Sequence, residues 1–271
     1  MSRTLRALDN RADEEGPLFV RRKAPRNQRI EQTPCGCSSS ARFGQYKKAE
    51  DRMDIAYSDT SRRLGIYSAA LVVVLLIIYA VSLTMGLLSL DSPEQPIGDP
   101  IFSILGILII IMMPSLVTLM VAIHAWAPVR FKIYSMIALI FISVLAGITS
   151  SVHFIILTLS RNSEFINLAC LPLFVSFRWP SVFYALDILG WDVFFALSML
   201  FAARVFWGNR LAIWIRVLMI ASGVLALAGL IGVVAWDMQI RNIGIVGYVG
   251  VFLIVAVLLI FFFYRDTQYQ I

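Results

Sequence analysis

Apolar residues in this chain neither alternate nor form a single stripe; they come in long uninterrupted runs. Six follow one another, at 65–89, 101–127, 132–159, 182–207, 211–236 and 242–264. Each holds few or no charged side chains and matches or exceeds the roughly 20 residues that carry a helix across bilayer hydrocarbon. Lipid offers the backbone no hydrogen-bond partners, so an apolar run of this length predicts a helix with its bonds closed internally. The expected fold class is therefore an all-α integral membrane protein, a six-transmembrane-helix bundle occupying residues 65–264. The connections at 127–131 and 208–210 are short enough to force antiparallel neighbours. The segment 160–181 is longer and half apolar, but too short to cross. It is expected to lie in the interface, to dip in as a lid over the bundle, or to pack as an ordinary loop on the helix ends.

Upstream of the runs the pattern changes. Residues 1–52 are polar, Arg-rich and aperiodic, with Pro17, Pro25 and Pro34 interrupting any helix. Such a composition cannot bury a core, so 1–64 is expected to be a disordered basic tail, matched by a short tail at 265–271. No cleavable signal peptide is expected. Met53 opens a short polar leader to the first run and is the expected natural start of the chain.

Composition narrows the class further. Hydrophobic residues make up 59% of the 271 and charged ones 15%, with a mean hydropathy of +0.80. A soluble enzyme needs a polar exterior that this chain cannot supply. The net charge of +6 is concentrated in the tail, where 14 of the 23 Lys and Arg fall within residues 1–63. With the N-terminus cytoplasmic, twenty basic residues lie inside and three (Arg161, Arg178 and Arg241) outside, a strong positive-inside bias. Both termini are thus expected in the cytoplasm, and the protein in the plasma (cytoplasmic) membrane. Trp126, Trp179, Trp207, Trp214 and Trp236 fall at span ends, where indoles anchor at headgroup level; Trp191 alone lies deep in a span. The expected partner of the basic tail is anionic lipid, and no nucleic acid is expected. Cys35 and Cys37 are expected to be reduced thiols, and Cys170 to form no intrachain disulfide.

Candidate chemistry comes from ionisable residues inside the spans, which lipid tolerates only when they face protein or water. The fourth run, opening with Tyr184, holds Asp187 near the outer surface and Asp192 near mid-span. Five residues are about 140° around an α-helix, so the two should point into neighbouring sectors rather than form one dyad. His153 in the third run is level with Asp187, and Thr149 and Ser150 lie a turn below it. An Asp187–His153 pair is expected either to handle a proton or ligand, or to hold two helices together by a structural hydrogen bond. Trp191, beside Gly190, supplies an aromatic wall suited to a small cationic or polar ligand, or ordinary packing. His124 is expected to cap or face the interface, and Pro114 to kink the second helix.

Three sets of small residues are read as helix-packing faces: Gly244/Gly247/Gly250, Ser143/Gly147/Ser151, and Ala228/Gly232. No HExxH, GxSxG or Walker pattern occurs. No catalytic residues, metal ligands or cofactors are therefore expected. The ligand- or proton-binding candidates are Asp187, Asp192, His153, Trp191, Tyr184, Ser150 and Thr149. They point to a small-solute or proton-linked transporter or ligand-binding membrane protein, whose few helices imply a homodimer or a partner membrane protein. The competing expectation is a non-catalytic structural or accessory membrane protein in which these residues only lock helices.

Overall fold

The computed structural model describes residues 38–90, 92, 97–159 and 171–265. Cys35, Cys37 and Cys170 lie outside the described residues, as do 1–37 and 266–271. The chain divides into two units, 1–47 and 48–271. The described part of the first, 38–47, is helical; the six long apolar spans all lie in the second.

Every regular element among the described residues is helical, and six helices are long and apolar enough to cross a membrane. α1 is Ser38–Leu88, with its apolar part at Asp59–Leu88; α2 is Ile101–Trp126, α3 Val129–Thr158, α4 Val182–Val205, α5 Arg210–Ala235 and α6 Met238–Arg265. A five-residue turn of helix, Leu171–Val175, precedes α4. α1 begins well before the expected end of the disordered tail. No proline follows Pro34 until residue 93, and a helix nucleated in an apolar span propagates cheaply into Ala-, Lys-, Glu- and Arg-containing sequence.

Local chemistry sets the helix ends. Ser181 accepts the Tyr184 amide at 3.2 Å and starts α4. Asn209 accepts the Ala212 amide at 2.7 Å and starts α5, and Asp237 accepts the Gln239 amide at 2.9 Å and starts α6. α5 ends at Trp236, held in the left-handed region at φ 57°, while the Asp237 amide donates back to the Gly232 carbonyl at 3.0 Å. This tight turn starts α6 four residues before the apolar run begins, so Arg241 lies inside the helix rather than in a loop. Between α2 and α3, Lys132 Nζ donates to the carbonyls of His124 (2.7 Å) and Ala125 (3.0 Å), at the negative end of the α2 dipole. His124 Nδ1 lies 2.8 Å from Ser135 Oγ and ties α2 to α3. α2 stays one continuous helix through Pro114.

Two helices depart from α geometry. α4 is π-helical at Leu189–Phe195 and α6 at Val246–Val251. The two π segments face one another: the Trp191 and Tyr248 rings are 5.0 Å apart and Phe195 and Tyr248 6.1 Å. Ser222 of α5 donates to the Gly247 carbonyl at 2.9 Å, giving an irregular stretch of backbone an extra donor.

The small-residue faces divide. At Gly232 a Cβ would lie 2.6 Å from the Arg241 amide nitrogen, and at Gly244 2.8 Å from Asp192 Oδ1. Gly247 is equally tight, against the Ser222 carbonyl at 2.8 Å. These positions let α4, α5 and α6 approach closely. Ser143, Gly147 and Ser151, by contrast, are exposed; a Cβ on Gly147 would meet nothing within 4 Å, and the two serines bond their own helix backbone. Gly250 is exposed too. Spacing places small residues on one face but does not say whether that face meets a helix or lipid, because both surroundings are apolar.

At the end of the bundle that carries Trp126, the core is aromatic. Trp126 stacks on Phe206 at 5.8 Å and meets Phe262 edge-on at 4.7 Å, with Phe206 and Phe262 5.4 Å apart. Phe206 and Phe263 are essentially fully buried.

Candidate functional site

The ionisable residues gather in the other half of the bundle, toward the end that carries Trp236. Arg241, expected in an outer connection, is instead 5% exposed and is the hub. Its Nε donates to Asp192 Oδ2 at 3.1 Å and its Nη1 to the Tyr184 hydroxyl at 3.1 Å. Its Nη2 stands 3.8 Å from Asp187 Oδ2, an ion pair beyond hydrogen-bond length. The guanidinium also lies over the Tyr184 ring, 4.9 Å from the centroid.

Asp187 and Asp192 therefore converge on one cation, against the expectation of separate sectors. The π turn is the reason. Hydrogen bonds of the i→i+5 kind wind about one extra residue into each turn, so residues five apart come close to a common face. Glycines complete the arrangement from the opposite side. At Gly229 a Cβ would fall 3.4 Å from Asp192 Cγ, so α5 presses bare backbone against the carboxylate.

A cavity of about 510 Å³ runs from the Trp236 end, where Ser92 and Gln239 line it, down to Asp187, Arg241, Trp191 and Tyr248. The two carboxylates stand differently toward it. Asp192 is fully buried and is not part of the cavity wall. Asp187 does line the cavity, and its Oδ1 has no hydrogen-bond partner. Arg241 Nη2 and Asp192 Oδ1 are likewise without hydrogen bonds. One charged group at mid-bilayer costs about 2.5–3.5 kcal/mol on insertion scales. Pairing offsets much of that for Asp192, and less for Asp187 at its longer distance.

His153 lines the cavity as well, yet no hydrogen bond joins His153 to Asp187 among the described residues; its Nδ1 meets the Thr149 carbonyl at 2.9 Å. Thr149 is buried with Oγ1 unpartnered, against Gly190, where a Cβ would lie 3.0 Å from that oxygen. Ser150 is half-buried and, like Thr149, is not part of the cavity wall. Tyr184 and Trp191 are.

The described part of the 160–181 segment covers the site. Phe177 contacts Phe102 (5.6 Å), His153 (5.6 Å) and Tyr184 (5.0 Å) and lines the cavity. Sequence reasoning passed over Arg241, Phe177 and Tyr248. For Arg241 a signal existed: two buried carboxylates in α4 require a cation, and Asp237 is an N-cap residue four positions before this arginine. Among the described residues, no three His, Cys, Asp or Glu side chains gather as a metal-ion set.

Six apolar helices around this cluster are consistent with a polytopic membrane protein. Compared with protein-family models, curated proteins and solved structures, the chain has no match.

Proposed function

We propose that this is a non-catalytic multi-pass protein of the plasma (cytoplasmic) membrane, with both termini in the cytoplasm, that binds a small polar solute in the cavity above Asp187 and Arg241. The supporting observation is the cavity itself. Its volume of about 510 Å³ falls in the usual range for small-molecule sites, roughly 300–1,000 Å³. Asp187 and Arg241 are among the residues that line it. The positive-inside bias of the basic residues supports a cavity mouth on the outer face.

Asp192 favours the accessory interpretation for its own half of the cluster. It is sealed by α5 and α6 and bonded to Arg241, so it positions the arginine and fastens three helices. Transport, if the solute is carried across, requires a second copy or a partner membrane protein to supply the other gate.

The test is access. In a background with the three native cysteines replaced by serine, Ile109→Cys places a thiol in the cavity wall. A small membrane-impermeant methanethiosulfonate added from outside should modify it, while Phe195→Cys, in the packed core, should stay protected. Equal protection of both would return the whole cluster to a structural role.

A further inference from the structure

The seam between α4 and α5 is charged at one end and aliphatic along the rest. The two helices approach closely at Gly223, where a Cβ would lie 3.0 Å from Leu200 Cγ. On α4, Leu197, Leu200 and Arg204 follow one another at the spacing of residues that share a helix face; on α5, Arg216, Ile220 and Val224 do the same. The short turn at Gly208 and Asn209 folds α5 back along α4, so both arginines come to the end of the seam nearest that turn. Arg204 is exposed and Arg216 half-buried. Arg216 starts six residues into α5, about 9 Å along its axis, and its guanidinium reaches back to within 5.1 Å of the Trp207 ring centroid. Trp207 itself is exposed. No Asp or Glu occurs between Val193 and Trp236, and among the described residues no carboxylate pairs with either arginine. Away from the turn, Ile220 and Val224 are exposed, and Leu197 and Leu200 half-buried.

We propose that this seam binds an anionic phospholipid, with the phosphate diester held by Arg204 and Arg216 and an acyl chain lying over Ile220 and Val224. The proposal is independent of the cavity and rests only on the reading that the chain spans a membrane. Charge complementarity selects the head. Guanidinium groups present planar N–H forks that match phosphate oxygens, and basic pockets between membrane helices take anionic head groups. A choline head brings a second cation to a place with no carboxylate to receive it, so an uncharged glycerol head fits better. The apolar part of the seam selects a lipid over a free ion. Inorganic phosphate gains nothing from Leu200, Ile220 and Val224, whereas an acyl chain packs along them.

Photocross-linking of the intact protein in phosphatidylcholine nanodiscs tests this. Phosphatidylglycerol and phosphatidylcholine, each with a diazirine in the acyl chain, are supplied as tracers, and their adducts are mapped by peptide mass spectrometry. Adducts within 197–224 are expected to be about tenfold more frequent with the phosphatidylglycerol probe, the scale set by two arginines near a head group. The exposed α3 positions Ile140 and Val144 should label alike with both probes. Arg204→Gln with Arg216→Gln should abolish the enrichment. Arg130→Gln with Arg265→Gln removes the same charge from two other exposed arginines and should retain it. Thermal unfolding checks that each variant folds, and the comparison of probes on the parent needs no variant. Excess inorganic phosphate should leave the enrichment unchanged; its loss would overturn the proposal in favour of a free-anion site. Equal labelling of the seam by the two probes would also overturn it, as would enrichment confined to residues 1–63 or equal losses in the two double variants. A chain that does not enter nanodiscs would overturn the multi-pass reading and this proposal with it, whereas one that enters and labels equally overturns the proposal alone.

Discussion

The two ends of the bundle hold their helices together in opposite ways. At the Trp126 end, large rings interdigitate: Trp126, Phe206 and Phe262 fill the space between helices. At the Trp236 end, glycines bring backbones together and leave room for an ion cluster and a cavity. In a bilayer, whose tails are as apolar as Leu, neither kind of contact would gain a hydrophobic driving force from association. The aromatic end is held by dispersion, which is maximal when no space remains. The charged end is held by an interaction whose alternative, a carboxylate or guanidinium facing hydrocarbon, is much worse. Only the second kind of contact tolerates a neighbouring void, and that is where the cavity lies.

The sharpest way to break this contrast is to remove the hub. Arg241→Met keeps the volume but leaves two buried carboxylates without a cation, and should destabilise the bundle by about 3–5 kcal/mol, the cost of breaking a buried pair. Thermal unfolding in detergent would measure it. A loss under about 1 kcal/mol would mean that the cluster is more hydrated than its burial indicates.

A smaller effect should follow from disturbing the backbone approach. Gly232→Ala puts a Cβ 2.6 Å from the Arg241 amide and should cost about 1–3 kcal/mol by overpacking. Gly147→Ala, on the open face of α3, should be neutral or slightly stabilising because Ala is the better helix former. Equal behaviour of the two, by thermal unfolding, would show that α5 and α6 stand farther apart than a glycine contact requires.

The finest distinction lies between the two carboxylates. Asp192→Asn removes the charge bonded to Arg241 Nε at 3.1 Å and should lower stability by roughly 1.5–3 kcal/mol, the range for a hydrogen bond to a charged group. Asp187→Asn, whose carboxylate is 3.8 Å from the arginine and makes no hydrogen bond to it, should cost less than Asp192→Asn, because no charge-assisted hydrogen bond is lost. Unfolding curves for both variants beside the parent would show the split; a larger loss at 187 than at 192 would reverse the roles.

Much of the architecture was legible in the chain. The six runs and their short connections follow from span length and backbone hydrogen bonding, which act on sequence directly. Asp187, Asp192, Trp191, Tyr184 and His153 were visible as polar or aromatic residues where lipid disfavours or singles them out. Ser143, Gly147 and Ser151 show the limit: their periodicity is real, but they face outward. What joins distant segments was not legible. Arg241 looked like the boundary of an apolar run, because an arginine raises the local polarity whether it faces water or an acid 49 residues earlier in the chain. Its burial depends on the left-handed Trp236, the Asp237 cap and the bare backbone of Gly232 acting together.

The sequence by itself determined that the chain forms six membrane-length helices, since span length and the demand for internal hydrogen bonds are local properties. Only the tertiary structure decided which charges meet. The π turn in α4 rotates Asp192 toward Asp187's side, and the tight α5–α6 turn delivers Arg241 to both; hydropathy carries no trace of either, because helix phase and side-chain partners arise from packing between segments.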